Sequence, residues 1–102
     1  MRRRYLLAPE AVRDLAEIWK YLKTKSGQAT ADRVESVLRD KFVLLSDFPA
    51  AGHTRRDLTA ADVRFFSVYS FLIVYRPETK PPQIVSILHG RRDVGAILGR
   101  RL

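Results

Sequence analysis

Residues 9–49, PEAVRDLAEIWKYLKTKSGQATADRVESVLRDKFVLLSDFP, contain two stretches of helical periodicity joined by a short link at Gly27. In the first stretch the apolar residues recur at spacings that place them on one face of a helix. They are Ala11, Val12, Leu15, Ile18, Trp19 and Leu22. Pro9 is tolerated in the first turn of a helix, and glycine is a typical residue at its end. The sequence therefore predicts an amphipathic helix between Pro9 and Gly27.

The charges along this first helix support the prediction. Its acidic residues lie toward the start and its lysines toward the end: Glu10, Asp14 and Glu17, then Lys20, Lys23 and Lys25. This order complements the partial charges at the two ends of a helix.

The second stretch keeps the same period and is ended by Pro49. Its apolar residues are Ala31, Val34, Val37, Leu38, Phe42, Leu45 and Phe48. Two helices joined by so few residues must fold back on each other as an antiparallel hairpin. The apolar faces of this hairpin need a common surface to cover.

That surface is predicted to be a sheet. We predict strands at residues 2–7, 62–69, 71–76 and 83–89, and the last three are rich in β-branched and aromatic residues. The last three strands, joined by short connections, are expected to pair antiparallel. Residues 49–61 are predicted to form a loop, and Asp93 to Leu98 one helical turn with Asp93 as its N-cap. The predicted fold is one α+β domain over residues 1–102, ordered β-α-α-β-β-β, with the hairpin on one face of a mainly antiparallel sheet.

The formal net charge of +8 on the 102 residues is concentrated near the two ends of the chain. Residues 1–4 and 91–102 hold seven basic and one acidic side chain, a net +6, which leaves +2 for residues 5–90. A field of this kind favours an anionic partner, either a nucleic acid or an acidic protein. A solvated basic rim that only aids solubility is the alternative.

Composition argues against several classes of protein. The chain has no cysteine, which excludes a disulfide framework, a thiolate zinc site and a cysteine nucleophile. Two histidines alone make a poor metal-binding set, so we predict neither a metal nor a cofactor. No apolar run approaches the roughly 18 residues of a membrane span. The short apolar segment before Pro9 lacks the length of a signal peptide, and a cytoplasmic location with no membrane contact is expected.

Four blocks of the sequence together resemble the ParE branch of the RelE/ParE toxin superfamily. The blocks are LAPEAVRDLAEIWKY (residues 7–21), FPAAGHTRRDL (48–58), VRFFSVYSFLIVYR (63–76) and IVSILHGRRDV (84–94). They occur in the order found in that family, and the second and fourth are the most specific.

The resemblance implies a RelE-like fold and a toxin of a type II toxin–antitoxin system. It further implies a cognate acidic, ParD-like antitoxin, a hetero-oligomeric complex, and contact with operator DNA only through the antitoxin. For the ParE branch it implies poisoning of DNA gyrase. The alternative from the RelE branch is a ribosome-dependent mRNA interferase.

Cleavage of RNA would need a general base, a general acid and cations around the phosphate. In nuclease relatives the segment after the last strand usually supplies a tyrosine or a histidine, but residues 90–102 contain neither. The remaining candidates are Arg64, His89 and Arg91, with Arg64 and Arg91 expected to converge on one face of the sheet. The incomplete set favours the gyrase-poisoning branch.

We predict that the antitoxin binds through five residues: Arg64, Arg76, Arg91, Arg92 and Trp19. Its carboxylates would pair with the arginines, and its apolar side chains would fill a groove between the hairpin and the sheet. Whichever of Tyr69, Phe71 and Tyr75 are exposed are further candidates for this contact, and core packing is the expected role for most of the three.

Overall fold

The computed structural model describes residues 4–102, which form three helices and four strands. The helices are α1 (Pro9–Ser26), α2 (Gln28–Asp47) and α3 (Val94–Arg101). The strands are β1 (Leu6–Leu7), β2 (Arg64–Val68), β3 (Phe71–Arg76) and β4 (Gln83–His89). No helix in this part of the chain has the length and apolar content required to cross a membrane.

The predicted helix hairpin is confirmed. Gly27 is the only residue between α1 and α2, and its φ of 92° lies in the region that favours glycine. Its N–H donates to the Lys23 carbonyl at 3.0 Å, which ends α1, while its carbonyl accepts from Ala31 at the start of α2. The chain therefore reverses direction at one residue, in a backbone conformation that residues other than glycine rarely adopt.

The four strands form one sheet in the order β1-β4-β3-β2. β2, β3 and β4 are antiparallel neighbours, as predicted, and β1 pairs parallel to β4 through Leu6 and Leu7 alone. The first strand is thus shorter than the predicted 2–7: residues 4 and 5 are not part of it, and residues 2 and 3 lie outside the described part of the chain.

The hairpin covers one face of the sheet, hereafter the hairpin face. Leu38, Phe42 and Leu45 of α2 are fully buried there together with Ile73 and Ile87 of the sheet. Neighbouring strand residues point to opposite faces, so this face is built from alternate positions of β3 and β4.

The third helix corrects the prediction of a single covered face. α3 has eight residues rather than one turn, and it packs Val94, Ile97 and Leu98 against Val74 and Leu88 on the opposite face of the sheet. Its predicted cap is confirmed, since the carboxylate of Asp93 accepts from the N–H of Ala96 at 3.2 Å. The sheet is therefore buried on both sides, with α3 opposite the hairpin.

Candidate binding surface at one end of the sheet

Strand register separates the arginines that were expected to act together. Arg64 pairs with Tyr75 at one end of β3, whereas His89 pairs with Phe71 at the other, just before Arg91. Tyr75 and Phe71 are four positions apart along β3, which corresponds to about 13 Å between their Cα atoms at roughly 3.3 Å per residue. The expected convergence of Arg64 and Arg91 is therefore wrong. We call the end with Arg64, Tyr75 and Arg76 the loop end, and the end with Phe71, His89, Arg91 and Arg92 the open end.

At the loop end the polar side chains hold the loop that follows α2. The Tyr75 hydroxyl donates to the Pro49 carbonyl at 2.7 Å and accepts from the Gly52 N–H at 2.9 Å. Arg64 donates from Nη1 to the Gly52 carbonyl at 2.8 Å. Burial raises the pKa of the Tyr75 hydroxyl above its usual value. Tyr75 is fully buried, so it belongs to the core and not to the exposed aromatic residues that could contact the antitoxin.

Gly52 is required by the close approach of this loop to the sheet. A Cβ at this position would lie 2.6 Å from the Tyr75 hydroxyl oxygen and 2.8 Å from the Phe65 carbonyl oxygen. The next residue, His53, forms an isolated bridge with Phe65, with N···O distances of 2.9 and 2.7 Å. The glycine of the 48–58 block thus has a structural explanation in the attachment of the loop, whereas His53 contributes only its backbone to the bridge.

At the open end the backbone is fixed while the cationic side chains stay exposed. The N–H of Gly90 donates to the Ser70 carbonyl at 2.8 Å, which joins the segment after β4 to the β2–β3 turn. The N–H of Arg91 donates to His89 Nδ1 at 3.1 Å, and the N–H of Arg92 donates to the His89 carbonyl at 3.0 Å. Within residues 4–102, neither arginine side chain forms a hydrogen bond or an ion pair. Both guanidinium groups are exposed to solvent on a rigid turn.

A groove of about 320 Å³ runs between α1 and the open end. Its wall is mainly apolar and consists of Ile18, Tyr21, Phe71 and Ile87, and its polar lining groups are Asp14, Glu17, His89 and Arg92. Tyr21 remains 61% exposed. The groove is thus an apolar depression with a guanidinium group within its lining, which suits a partner with apolar and acidic side chains.

Asp14 lies at the edge of this groove and ties three elements together. Its carboxylate accepts two hydrogen bonds from Arg101 of α3, at 2.6 and 3.0 Å, and one from the Ile87 N–H of β4 at 3.0 Å. Arg101 also donates to the Ser86 hydroxyl at 2.9 Å. The hydrogen bond with Asp14 raises the pKa of Arg101.

The role of Asp14 was missed in the sequence. Asp14 was interpreted as one of the acidic residues that compensate the dipole at the start of α1. In the structure it is only 4% exposed. The ion pair connects residues 87 positions apart in the chain, so no local pattern contains it. Arg101 is also one of the end-loaded basic residues, and Asp14 compensates its charge internally.

The three candidate nuclease residues are not assembled into one site. Arg64 is at the loop end, and His89 and Arg91 are at the open end. The His89 ring lies edge-on to Phe71 at 5.6 Å between centroids, and its Nδ1 accepts from the Arg91 N–H at 3.1 Å. Across residues 4–102, no three histidine or acidic side chains are grouped as metal ligands would be.

Trp19 lies apart from the arginines, in the helix hairpin. Its Nε1–H donates to the Asp32 carboxylate of α2 at 2.8 Å, and Lys23 Nζ lies 5.2 Å from the centre of its ring. These contacts connect α1 to α2 on the half-exposed surface of the hairpin.

Comparison with known proteins identifies relatives that match most of the chain. Residues 5–94 match the family described as ParE toxin of type II toxin-antitoxin system, parDE. Toxin ParE3 of Caulobacter vibrioides is 38% identical over 77 residues, which cover 76% of this chain and 72% of that protein. The solved structure of a chromosomal ParDE TA system from P. aeruginosa is similar with a TM-score of 0.72 at 20% identity, covering 83% of this chain and 92% of that one. This likeness confirms the predicted RelE-like α+β fold.

Proposed function

The chain belongs to the ParE toxin family of type II toxin–antitoxin systems, and on that premise we propose that it poisons DNA gyrase and is silenced by a ParD-like acidic antitoxin. The antitoxin forms a hetero-oligomer with the toxin and carries the contact with operator DNA. The observation that supports recognition by the antitoxin most directly is the open end, where an apolar groove adjoins two exposed guanidinium groups, and the gyrase target is proposed from the family.

Antitoxin recognition is proposed to centre on the groove. Apolar side chains of the antitoxin pack against Ile18, Tyr21 and Phe71, and its carboxylates pair with Arg91 and Arg92. A partly disordered acidic segment suits this arrangement, because such segments fold on binding and wrap large surfaces. Exposed charges raise the association rate more than the affinity, so association is expected to slow as salt increases.

The other proposed antitoxin contacts rank below these two arginines. Arg76 is half-buried at the loop end, and Arg64 already donates to the Gly52 carbonyl. Trp19 uses its Nε1–H within the hairpin. Each retains a surface that an extended antitoxin tail can reach, but Arg64 and Trp19 already use a donor within the fold, and Arg76 is less exposed than Arg91 and Arg92.

The distribution of the candidate nuclease groups supports gyrase poisoning over RNA cleavage. A metal-independent ribonuclease needs its base, its acid and its phosphate-binding cations within hydrogen-bond reach of one phosphate. Arg64 lies about 13 Å from the open end by strand register, at roughly 3.3 Å per residue. His89 and Arg91 remain together, and the one acidic side chain of the segment after β4, Asp93, accepts from the Ala96 N–H as the cap of α3.

The test is a gyrase trapping assay with the purified toxin. Supercoiled plasmid, gyrase and ATP are incubated with the toxin, and the complex is denatured to reveal cleaved DNA. We expect linear plasmid that depends on both gyrase and toxin and disappears when the antitoxin is added first. In parallel, the toxin is added to translating ribosomes. Message cleavage with turnover and no trapped plasmid would contradict the proposal and favour the RelE-type activity.

A further inference from the structure

The β2–β3 turn carries an exposed aromatic residue in an unfavourable backbone conformation. Val68 pairs with Phe71, so Tyr69 and Ser70 form a two-residue loop. Tyr69 has a φ of 54° and is the only non-glycine residue with positive φ among residues 4–102. In hairpin loops with positive φ at the first position, glycine is the usual residue, because a Cβ is disfavoured there.

Packing does not explain the tyrosine at this position. The residue is 65% exposed, the largest exposure among the large hydrophobic residues described. Residues kept in sparsely populated backbone regions tend to occur where function requires them. An exposed ring at a strained turn is therefore a candidate for direct contact with a ligand.

The β2–β3 turn and the segment that carries the two exposed arginines are neighbours joined by a backbone hydrogen bond. The Gly90 N–H donates to the Ser70 carbonyl at 2.8 Å, and a Cβ on Gly90 would lie only 3.4 Å from that oxygen. The two segments are thus held in close contact, with Tyr69 on one and Arg91 and Arg92 on the other. The nearest acidic residue in sequence, Asp93, already accepts from the N–H of Ala96 as the cap of α3.

We propose that this surface, Tyr69 with Arg91 and Arg92, binds single-stranded nucleic acid. The Tyr69 ring stacks on an unpaired base, and the guanidinium groups contact the flanking phosphates. A duplex hides the faces of its bases and a polyglutamate chain has no ring to stack, so either would use the arginines without the Tyr69 ring. The proposal goes beyond gyrase poisoning and does not depend on it.

The surface also predicts a competition. Antitoxin carboxylates and nucleic-acid phosphates would use the same two guanidinium groups, so the two ligands would exclude each other. Silencing by the antitoxin would then include masking of the nucleic-acid surface.

The test is fluorescence anisotropy with a labelled deoxythymidine oligonucleotide, which cannot form base pairs. Loss of one stacked base typically costs about 1–3 kcal/mol, so Tyr69→Ala is expected to weaken binding about 5- to 150-fold. Tyr69→Phe should retain binding, since its ring still stacks. Tyr69→Gly should lose it, although glycine suits the turn, and this variant separates the ring from the backbone. Phe48→Ala is the matched control, because Phe48 is an equally exposed aromatic residue (63%) elsewhere on the protein.

A second readout isolates the phosphate contacts. Single strands release about 0.7 counterion per neutralised phosphate, so Arg91→Ala with Arg92→Ala should reduce the slope of log affinity against log salt by about 1.4. Equal affinity for a duplex of the same length would overturn the proposal, as would a Tyr69→Ala variant that binds within twofold of the parent. Binding of a polyglutamate peptide with affinity equal to that of the oligonucleotide would assign the surface to acidic peptides instead.

Discussion

The two ends of the sheet carry the same kinds of side chain and use them in opposite ways. At the loop end, Arg64 and Tyr75 hydrogen-bond to backbone atoms of the loop after α2. At the open end, Tyr69, Arg91 and Arg92 are exposed on turns that are fixed by backbone hydrogen bonds. The comparison teaches that an arginine or a tyrosine becomes a binding group only where the fold leaves its donors and its ring unused.

The two ends of the sheet also differ in which groups hold their backbone in place. The loop end is held by side chains, so its variants should change stability. The turns of the open end are held by backbone hydrogen bonds and by His89 Nδ1, so Tyr69, Arg91 and Arg92 can be replaced with little change in stability.

The largest effect is expected from a matched pair of tyrosines. Tyr75→Ala removes a fully buried aromatic residue and two hydrogen bonds, and substitutions of this class cost about 3–5 kcal/mol of unfolding free energy. Tyr69→Ala removes an exposed ring and should change the unfolding free energy by less than about 0.5 kcal/mol. Urea denaturation measures both. A comparable loss in the two variants would show that the open end is not independent of the core.

The next effect tests the ion pair beneath the groove. Asp14→Ala would leave the Arg101 guanidinium and the Ile87 N–H without their partner, and we expect a loss of about 2–3 kcal/mol, reduced from the fully buried case because Arg101 is partly exposed. Glu17→Ala, three residues along α1 and exposed, is the control and should cost less than about 0.5 kcal/mol. Hydrogen exchange should further show faster exchange in α3 for the first variant. Unchanged protection of α3 amides from hydrogen exchange would contradict the conclusion that the Asp14–Arg101 ion pair holds α3 in place.

The smallest effect concerns a single hydroxyl group and its pH dependence. Tyr75→Phe removes the hydrogen bonds to Pro49 and Gly52 and should cost about 1–2 kcal/mol at neutral pH. Because burial raises the pKa of Tyr75 above the usual 10.0, the stability that the neutral hydroxyl contributes is fully present below pH 10 and is lost as the pH rises through the folded-state pKa. The stability difference between the parent and the variant should therefore shrink in alkali. A difference that is independent of pH would contradict the burial of this group.

Much of the fold was predictable because local patterns carry it. The apolar period of α1 and α2, with Gly27 and Pro49 at their ends, identified the hairpin, and the composition of β2, β3 and β4 identified the meander. The side of the sheet that α3 covers was not predictable, because Val94, Ile97 and Leu98 form an apolar stripe that fits either face.

The site was predicted only in part, for a related reason. Arg91 and Arg92 stood out because they lie in a basic segment, and the structure places them on an exposed turn. The engagement of Arg64 with Gly52 and the pairing of Asp14 with Arg101 are contacts between distant parts of the chain. The sequence shows which residues are charged, whereas strand register and packing decide which charged side chains remain free to bind a partner.

The most direct test of the account compares antitoxin binding by two double variants that each remove two positive charges. Arg91→Ala with Arg92→Ala changes the open end, and Arg64→Ala with Arg76→Ala changes the loop end, so the loss of net charge is the same. Calorimetry with the cognate antitoxin should show that the open-end variant loses about tenfold or more in Kd, roughly 1.4 kcal/mol, and the loop-end variant distinctly less. Equal losses, or a larger loss at the loop end, would contradict the claim that the open end is where this toxin is recognised.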